Sequence, residues 1–215
     1  IPVHVIPIAT DTDRLKPVVK KENPFCKQYD LTDKFVVLYS GKMGYGHNIE
    51  IILKVAEILR SQKQIQFVFI GDGPKYKTVE DFIREHNTSN ILLLPLQPEE
   101  VFPQSMACGD VGIVSQETSM AHLFMPSKTY SMMACGMAIV GICSEHDDLQ
   151  KLILRGNCGE ALSIPDENKL AETLLRLYKD EGLLEKYKSN ARREVEIRYS
   201  KAVIVEKYRE LFRKY

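Results

Sequence analysis

Three short stretches of this 215-residue chain combine residue types able to hold an anion. The first is Ser40-Gly41-Lys42-Met43-Gly44-Tyr45-Gly46-His47. Its three glycines let the backbone turn tightly and present N–H groups, and Lys42 and His47 add side-chain donors. The helix-like segment beginning at Asn48 contributes the positive end of its dipole, and the sum suits a phosphate or diphosphate. The order is GxxGxG, which is neither the P-loop nor GxGxxG, and a glycine-rich turn with no ligand would read the same way. The second stretch is Met125-Pro126-Ser127-Lys128-Thr129-Tyr130. A proline at a helix start leaves the amides of Ser127, Lys128 and Thr129 without intrahelical partners, and Lys128 puts a charge beside them. That is a second anion site, or a capped helix with a lysine facing solvent. The third, Gly71-Asp72-Gly73-Pro74, is mostly turn chemistry. No carboxylate pair, Ser-His-Asp set or HExxH string is present. Glu99-Glu100, Asp147-Asp148 and the basic run Lys186, Lys188, Arg192, Arg193, Arg198 and Lys201 read as solvated helix faces.

These loops fall between elements whose pattern is regular. Residues 3–8, 35–40, 65–70, 91–94, 110–114 and 138–142 are short, continuously apolar and rich in Val, Ile and Leu, which is how strands buried on both faces read. Between them lie segments of helical period. In 48–61, Ile49, Ile52, Leu53, Ala56 and Leu59 form one stripe with Asn48 as cap; 74–87 and 126–136 each open on a proline in the first turn. Alternation with short connections implies βαβ units, so the expected fold is α/β, an open doubly wound parallel sheet. Ligands of such sheets bind beyond the carboxyl ends of the strands, which is where all three stretches lie. Past Pro165 the strands stop, and 166–215 reads as amphipathic helices broken near Gly182 and Ser200; 1–24, with two prolines between Thr10 and Pro24, reads as a lead-in or hinge segment.

Composition excludes other classes. Lys plus Arg and Asp plus Glu both number 29, so the surface lacks the excess of cations that holding nucleic acid demands. The longest apolar run, 132–143, is about half the length of a membrane span and contains two glycines. The five cysteines show no metal or disulfide spacing and read as small buried hydrophobes in a reducing compartment. The chain opens on Ile1-Pro2-Val3, as a piece cut from something longer would.

Taken in order, the loops resemble the C-terminal, donor-binding half of retaining GT-B glycosyltransferases of family 4. Ile6-Pro7-Ile8 with Asp11-Thr12-Asp13-Arg14-Leu15-Lys16-Pro17 is similar to the family phrase "IPNGVDxxxFxP". Residues 38–46 match its strand and glycine loop, 70–74 its "GDGP" turn, 107–114 "AAADVxLxP", 134–140 "AxGxPVV" and 198–212 the "FSWxxxAxxYxxLY" tail. Pro126-Ser127-Lys128-Thr129-Tyr130, with Tyr39-Ser40-Gly41 and His47, is similar to the bacterial sugar transferases that build colanic acid, O-antigen and capsule.

The resemblance implies a Rossmann-like half of a GT-B fold, with residues 1–215 as one donor-binding domain and an N-terminal acceptor domain lying outside this chain. It implies that Gly41, Lys42, Gly44, His47, Ser127, Lys128 and Thr129 hold the donor diphosphate. Lys42 and His47 stand for the family's arginine and lysine. Leu94, Pro95 and Leu96 fall where backbone meets the base, and Ser131 replaces the glutamate that holds the ribose. Leu123 stands where the family has its other acid, near the sugar, and Glu117 is a candidate replacement; no residue is assigned the catalytic role. The implied partners are a UDP- or GDP-sugar and a lipid-linked acceptor, with no metal or other cofactor and no nucleic acid. The implied setting is cytoplasmic or peripheral at the inner face of the membrane. A UDP-sugar 2-epimerase of the same architecture would want carboxylates and further histidines near the sugar, where only His47 and His122 stand. A non-catalytic nucleotide-binding domain is the third reading.

Overall fold

The computed structural model describes residues 3–117 and 123–214. Six strands form one sheet: β1 (Phe35–Ser40), β2 (Ile65–Ile70), β3 (Ile91–Leu94), β4 (Val111–Ser115), β5 (Ala138–Ile142) and β6 (Gly159–Leu162). Their order is β3-β2-β1-β4-β5-β6, and every neighbouring pair is parallel. The direction of winding reverses between β1 and β4, the switch point at which open α/β sheets place their ligands. β1 runs beside β2 over its whole length, but its ladder with β4 covers only Val37 and Leu38. The two strands therefore part before their carboxyl ends, opening a crevice.

Strand side chains alternate between two apolar layers, as period-2 geometry requires. Val36, Leu38, Val68, Ile70 and Val114 enter one layer, covered by α1 (Pro24–Gln28), α4 (Phe102–Met106), α5 (Lys128–Ala134), α6 (Asp148–Gly156) and α8 (Glu181–Tyr199). Phe35, Val37, Tyr39, Phe67, Phe69 and Ile113 enter the other, covered by α2 (Ile49–Ile58), α3 (Tyr76–His86) and α7 (Glu167–Lys179). Asn48 caps α2 by accepting the Ile51 N–H at 3.2 Å. The chain closes on α9 (Lys201–Arg213) after the break at Ser200. All five cysteines are free and buried. No helix among the described residues is long and apolar enough to cross a membrane.

Several expectations fail for identifiable reasons. Residues 3–8 form no strand; Val3, Val5 and Ile8 stay 87, 90 and 63 % exposed, and the segment lies beside α9 instead of joining a sheet edge. An apolar run signals a demand for burial and carries no information on what meets it. β6 goes unread because Gly-Glu-Ala-Leu lacks β-branched residues; it is an edge strand whose Gly159 fits where a Cβ would stand 1.7 Å from Ile139 O. Pro74 and Pro126 precede the N-caps Lys75 and Ser127 rather than opening the first turn. Asp147 is a buried cap of α6, accepting from Leu149 N, and not a solvated acid. Nor is the basic run on α8 simply solvated. Arg192 donates to Leu15 O (2.7 Å), Ala134 O (2.6 Å) and Thr12 O (3.0 Å), and Arg198 pairs with Glu194. With Thr10 N to Tyr199 O and Lys201 N to Thr10 O, these bonds dock the lead-in segment across the C-terminal helices.

Candidate functional site

The crevice at the switch point is a cleft of about 510 Å³ lined by residues from four parts of the chain. Ile8 to Asp11 and Leu15 come from the lead-in segment, Ser40, Gly41, Lys42 and His47 from the β1 loop, and Phe102 and Met106 from α4; Phe124 to Lys128 and Ser131 complete it among the described residues. Lead-in docking through Arg192 is what gives this cleft its outer wall.

The glycine loop is held as a continuation of the sheet. Gly41 N donates to Ile70 O, Met43 N to Asp72 O and Lys75 N to Met43 O, while Gly71 N donates to Leu94 O. Contact between the loops is backbone to backbone: a Cβ on Gly71 would stand 2.0 Å from Gly41 O, and one on Gly73, whose φ is +118°, 2.8 Å from Met43 O. The Gly-Asp-Gly-Pro turn is thus the bed on which the glycine loop lies. Tyr39, fully buried at the end of β1, donates its hydroxyl to Lys42 O at 2.8 Å and fixes the loop from below.

Lys128 is brought to this loop from far along the chain. Its Nζ lies 3.8 Å over the centre of the Tyr39 ring and 3.7 Å from where a Gly41 Cβ would be. The amine is buried and makes no hydrogen bond, and removal from water pulls its pKa down from 10.5 to about 7. Seven buried side-chain atoms among the described residues lack a hydrogen-bond partner. Four belong to Ser115, Gln116, Lys128 and Thr129, on the end of β4 and the start of α5. Buried polar atoms are nearly always paired, and of these four residues Lys128 lines the cleft, so its amine is the one that a bound group would satisfy. Ser131, one turn after Lys128 on α5, lines the same wall.

His47 closes the loop. Its Nδ1 is 2.8 Å from Ser115 O, an acceptor only, so Nδ1 carries the proton and Nε2 is left for a ligand. The ring stands edge-on between Tyr39 and Phe124. Burial, followed by the Lys128 charge, holds its pKa below 6.5, against the opposing pull of Ser115 O. The ring is therefore mostly neutral at pH 7 in the free chain.

Of the residues expected at the diphosphate, Gly41, Lys42, His47, Ser127 and Lys128 line the cleft; Gly44 and Thr129 do not. The Thr129 amide is not open either, since it donates to Pro126 O at 3.1 Å, tightening the start of α5. Leu94, Pro95 and Leu96 also lie outside the lining; Leu94 O accepts from Gly71 N and Pro95 O from Gln97. Leu123 is exposed at the surface. Glu117 points its carboxylate to Lys75, 3.3 Å away, and is absent from the lining. His122 lies outside the described residues. Sequence reasoning missed Tyr39, Ser115, Lys75 and the lead-in wall. Lys75 alone left a local signal, because a lysine at a helix N-cap faces the wrong end of the dipole.

Comparison with known proteins bears on the family and the fold. The Escherichia coli (strain K12) protein named as a colanic acid biosynthesis glycosyl transferase, WcaI, is 29% identical over 126 residues, 58% of this chain and 31% of its own length. The Pseudomonas aeruginosa glycosyltransferase WbjE is 27% identical over 64% of this chain and 34% of its own. The crystal structure of Anabaena Alr3699/HepE in complex with UDP-glucose superposes with a TM-score of 0.82 at 19% identity, over 99% of this chain and 57% of that one. That likeness shows a shared α/β, Rossmann-like fold of the GT-B kind. The chain spans about a third of the length of these two curated relatives. The family model described as glycosyl transferases group 1 matches residues 21–194, the greater part of the chain, and the protein therefore belongs to that family.

Proposed function

We propose that this chain is the donor-binding half of a retaining glycosyltransferase of family 4 that takes a nucleotide-diphosphate sugar and serves the building of a bacterial surface polysaccharide. The observation that carries the reading is Lys128: a buried amine with no hydrogen-bond partner, held over Tyr39 beside Gly41 at the sheet's switch point. A diphosphate supplies the missing partner, and its charge favours the ammonium. Lys42, Ser127 and His47 Nε2, which donates once the charge of the diphosphate has favoured the imidazolium, complete the donor set, and Ser131 is in reach of a ribose hydroxyl along α5. Fixed donors of this kind stabilise the departing diphosphate by about 3 kcal/mol each, and with two lysines supplying charge the reaction as proposed runs without a metal. The donor class is supported by the neighbouring structure crystallised with UDP-glucose, and the polysaccharide setting by the name of the Escherichia coli relative. The acceptor, which we take to be lipid-linked at the inner face of the membrane, meets the other half of the enzyme. An epimerase is disfavoured because, among the described residues, the cleft lining holds one histidine, His47, and one carboxylate, Asp11.

Titration of the chain by calorimetry with UDP, GDP, UDP-glucose and the free nucleosides tests the reading. Diphosphates are expected to bind and nucleosides to bind far more weakly, with Lys128→Ala weakening the diphosphates alone by roughly tenfold or more, the worth of one charge-assisted hydrogen bond. Equal losses for nucleoside and diphosphate would overturn it.

A further inference from the structure

Lys75 lies outside the cleft, yet it touches three pieces of the machinery around it. Its Nζ donates to His47 O at 2.7 Å, to Glu50 Oε2 at 2.9 Å and to Glu117 Oε1 at 3.3 Å, with the side chain only 12% exposed. These partners sit on the glycine loop, the first turn of α2 and the segment after β4, and Glu117 N donates to Gly46 O at 3.0 Å. Placing this cation at the N-cap of α3 opposes the helix dipole and costs side-chain freedom. The location makes sense only if the three partners need to be held together.

We propose that Lys75 is a positioning residue for His47, tying down its backbone carbonyl while holding the Glu117 carboxylate away from the ring. The importance of His47 rests on the donor-binding reading above; the tie itself does not. Side chains facing the ring include Tyr39 from β1, Phe124 from the segment before α5, Lys128 from α5, and Lys75 and Glu117. Lys75 and Glu117 act on the ring's charge in opposite senses. Removing the lysine deletes a cation and frees an anion, and both changes favour imidazolium.

The test is the titration of the His47 ring, followed by nitrogen-15 spectroscopy on the 215-residue chain without ligand. Lys75→Met should raise its midpoint by about half a pH unit or more, Lys75→Arg should leave it near native, and Glu117→Gln, with the lysine intact, should lower it. Adding Glu117→Gln to Lys75→Met should reverse most of the rise. An unchanged midpoint in folded Lys75→Met overturns the proposal. Should that variant not fold, an unchanged midpoint in Glu117→Gln does so. UDP-glucose affinity is the second readout: a loss of roughly tenfold in Lys75→Met, restored in Lys75→Arg, is the size expected for losing one hydrogen bond to a charged group. Native affinity in Lys75→Met also overturns the positioning role. If the native chain binds no UDP-glucose, the donor reading fails, and the His47 titration alone still judges the tie.

Discussion

Replacing Lys128 by methionine should make the free chain more stable while weakening its hold on a diphosphate. The unfolded amine titrates near 10.5 and the folded one near 7, held there by burial. Below pH 7 both states carry the proton and the fold bears the whole cost of a buried charge. Between about 7 and 10.5 the unfolded chain holds more protons, so native stability rises with pH; above 10.5 the difference vanishes. Each pH unit between two pKa values corresponds to about 1.4 kcal/mol, which makes the gap worth about 5 kcal/mol at most. The attraction of the ammonium to the Tyr39 ring and small movements toward water reduce that, and exchange of a buried charge for an apolar side chain gains about 1–4 kcal/mol in practice. Urea unfolding of native protein and Lys128→Met at about pH 6 and about pH 9 measures it, with the gain at the higher pH reduced to roughly two-fifths of that at the lower, since it disappears only above about 10.5. A less stable methionine variant at low pH, or a gain independent of pH, would refute the reasoning. The same variant should bind UDP-glucose more weakly by roughly tenfold or more, because the unpaired amine that burdens the empty fold is the group a diphosphate pairs with.

Three further outcomes are expected. A bound diphosphate should raise the depressed His47 pKa, so UDP-glucose affinity should fall as pH rises from about 6 to about 8; His47→Gln should flatten only part of that slope, since Lys128 titrates in the same window, and a slope unchanged by the glutamine counts against a ligand role for His47. Gly71→Ala should destabilise by about 1–3 kcal/mol or more, because the added Cβ meets Gly41 backbone with no room to yield, whereas Gly44→Ala, with open space around it, should unfold like native protein in urea. Arg192→Met should cost about 2–3 kcal/mol through lost charge-assisted bonds to Leu15, Ala134 and Thr12, and should make the peptide bonds of the lead-in segment more open to protease.

The sheet was largely legible because burial on both faces leaves one kind of sequence. β1, β2, β3 and β5 begin and end where continuous apolar runs do, β4 is displaced by one residue, and Asn48 caps the helix its side chain predicts. The loops able to hold an anion followed, since strand ends in a parallel sheet share one edge. What the sequence could not carry was anything fixed by chain segments meeting from afar. Residues 3–8 have the composition of a strand and lack a neighbour, while Gly159–Leu162 lacks the composition and gains its place from β5 alone. Lys128 reads locally as the charge of an anion site or as a solvent-facing lysine; folding sets it over Tyr39, strips its water and lowers its pKa. Lys75 carries no role in the sequence, and only folding gathers His47, Glu50 and Glu117 around it. Periodicity records which faces must leave water, and those pairings depend on which distant groups arrive at the same point, which only the folded chain decides.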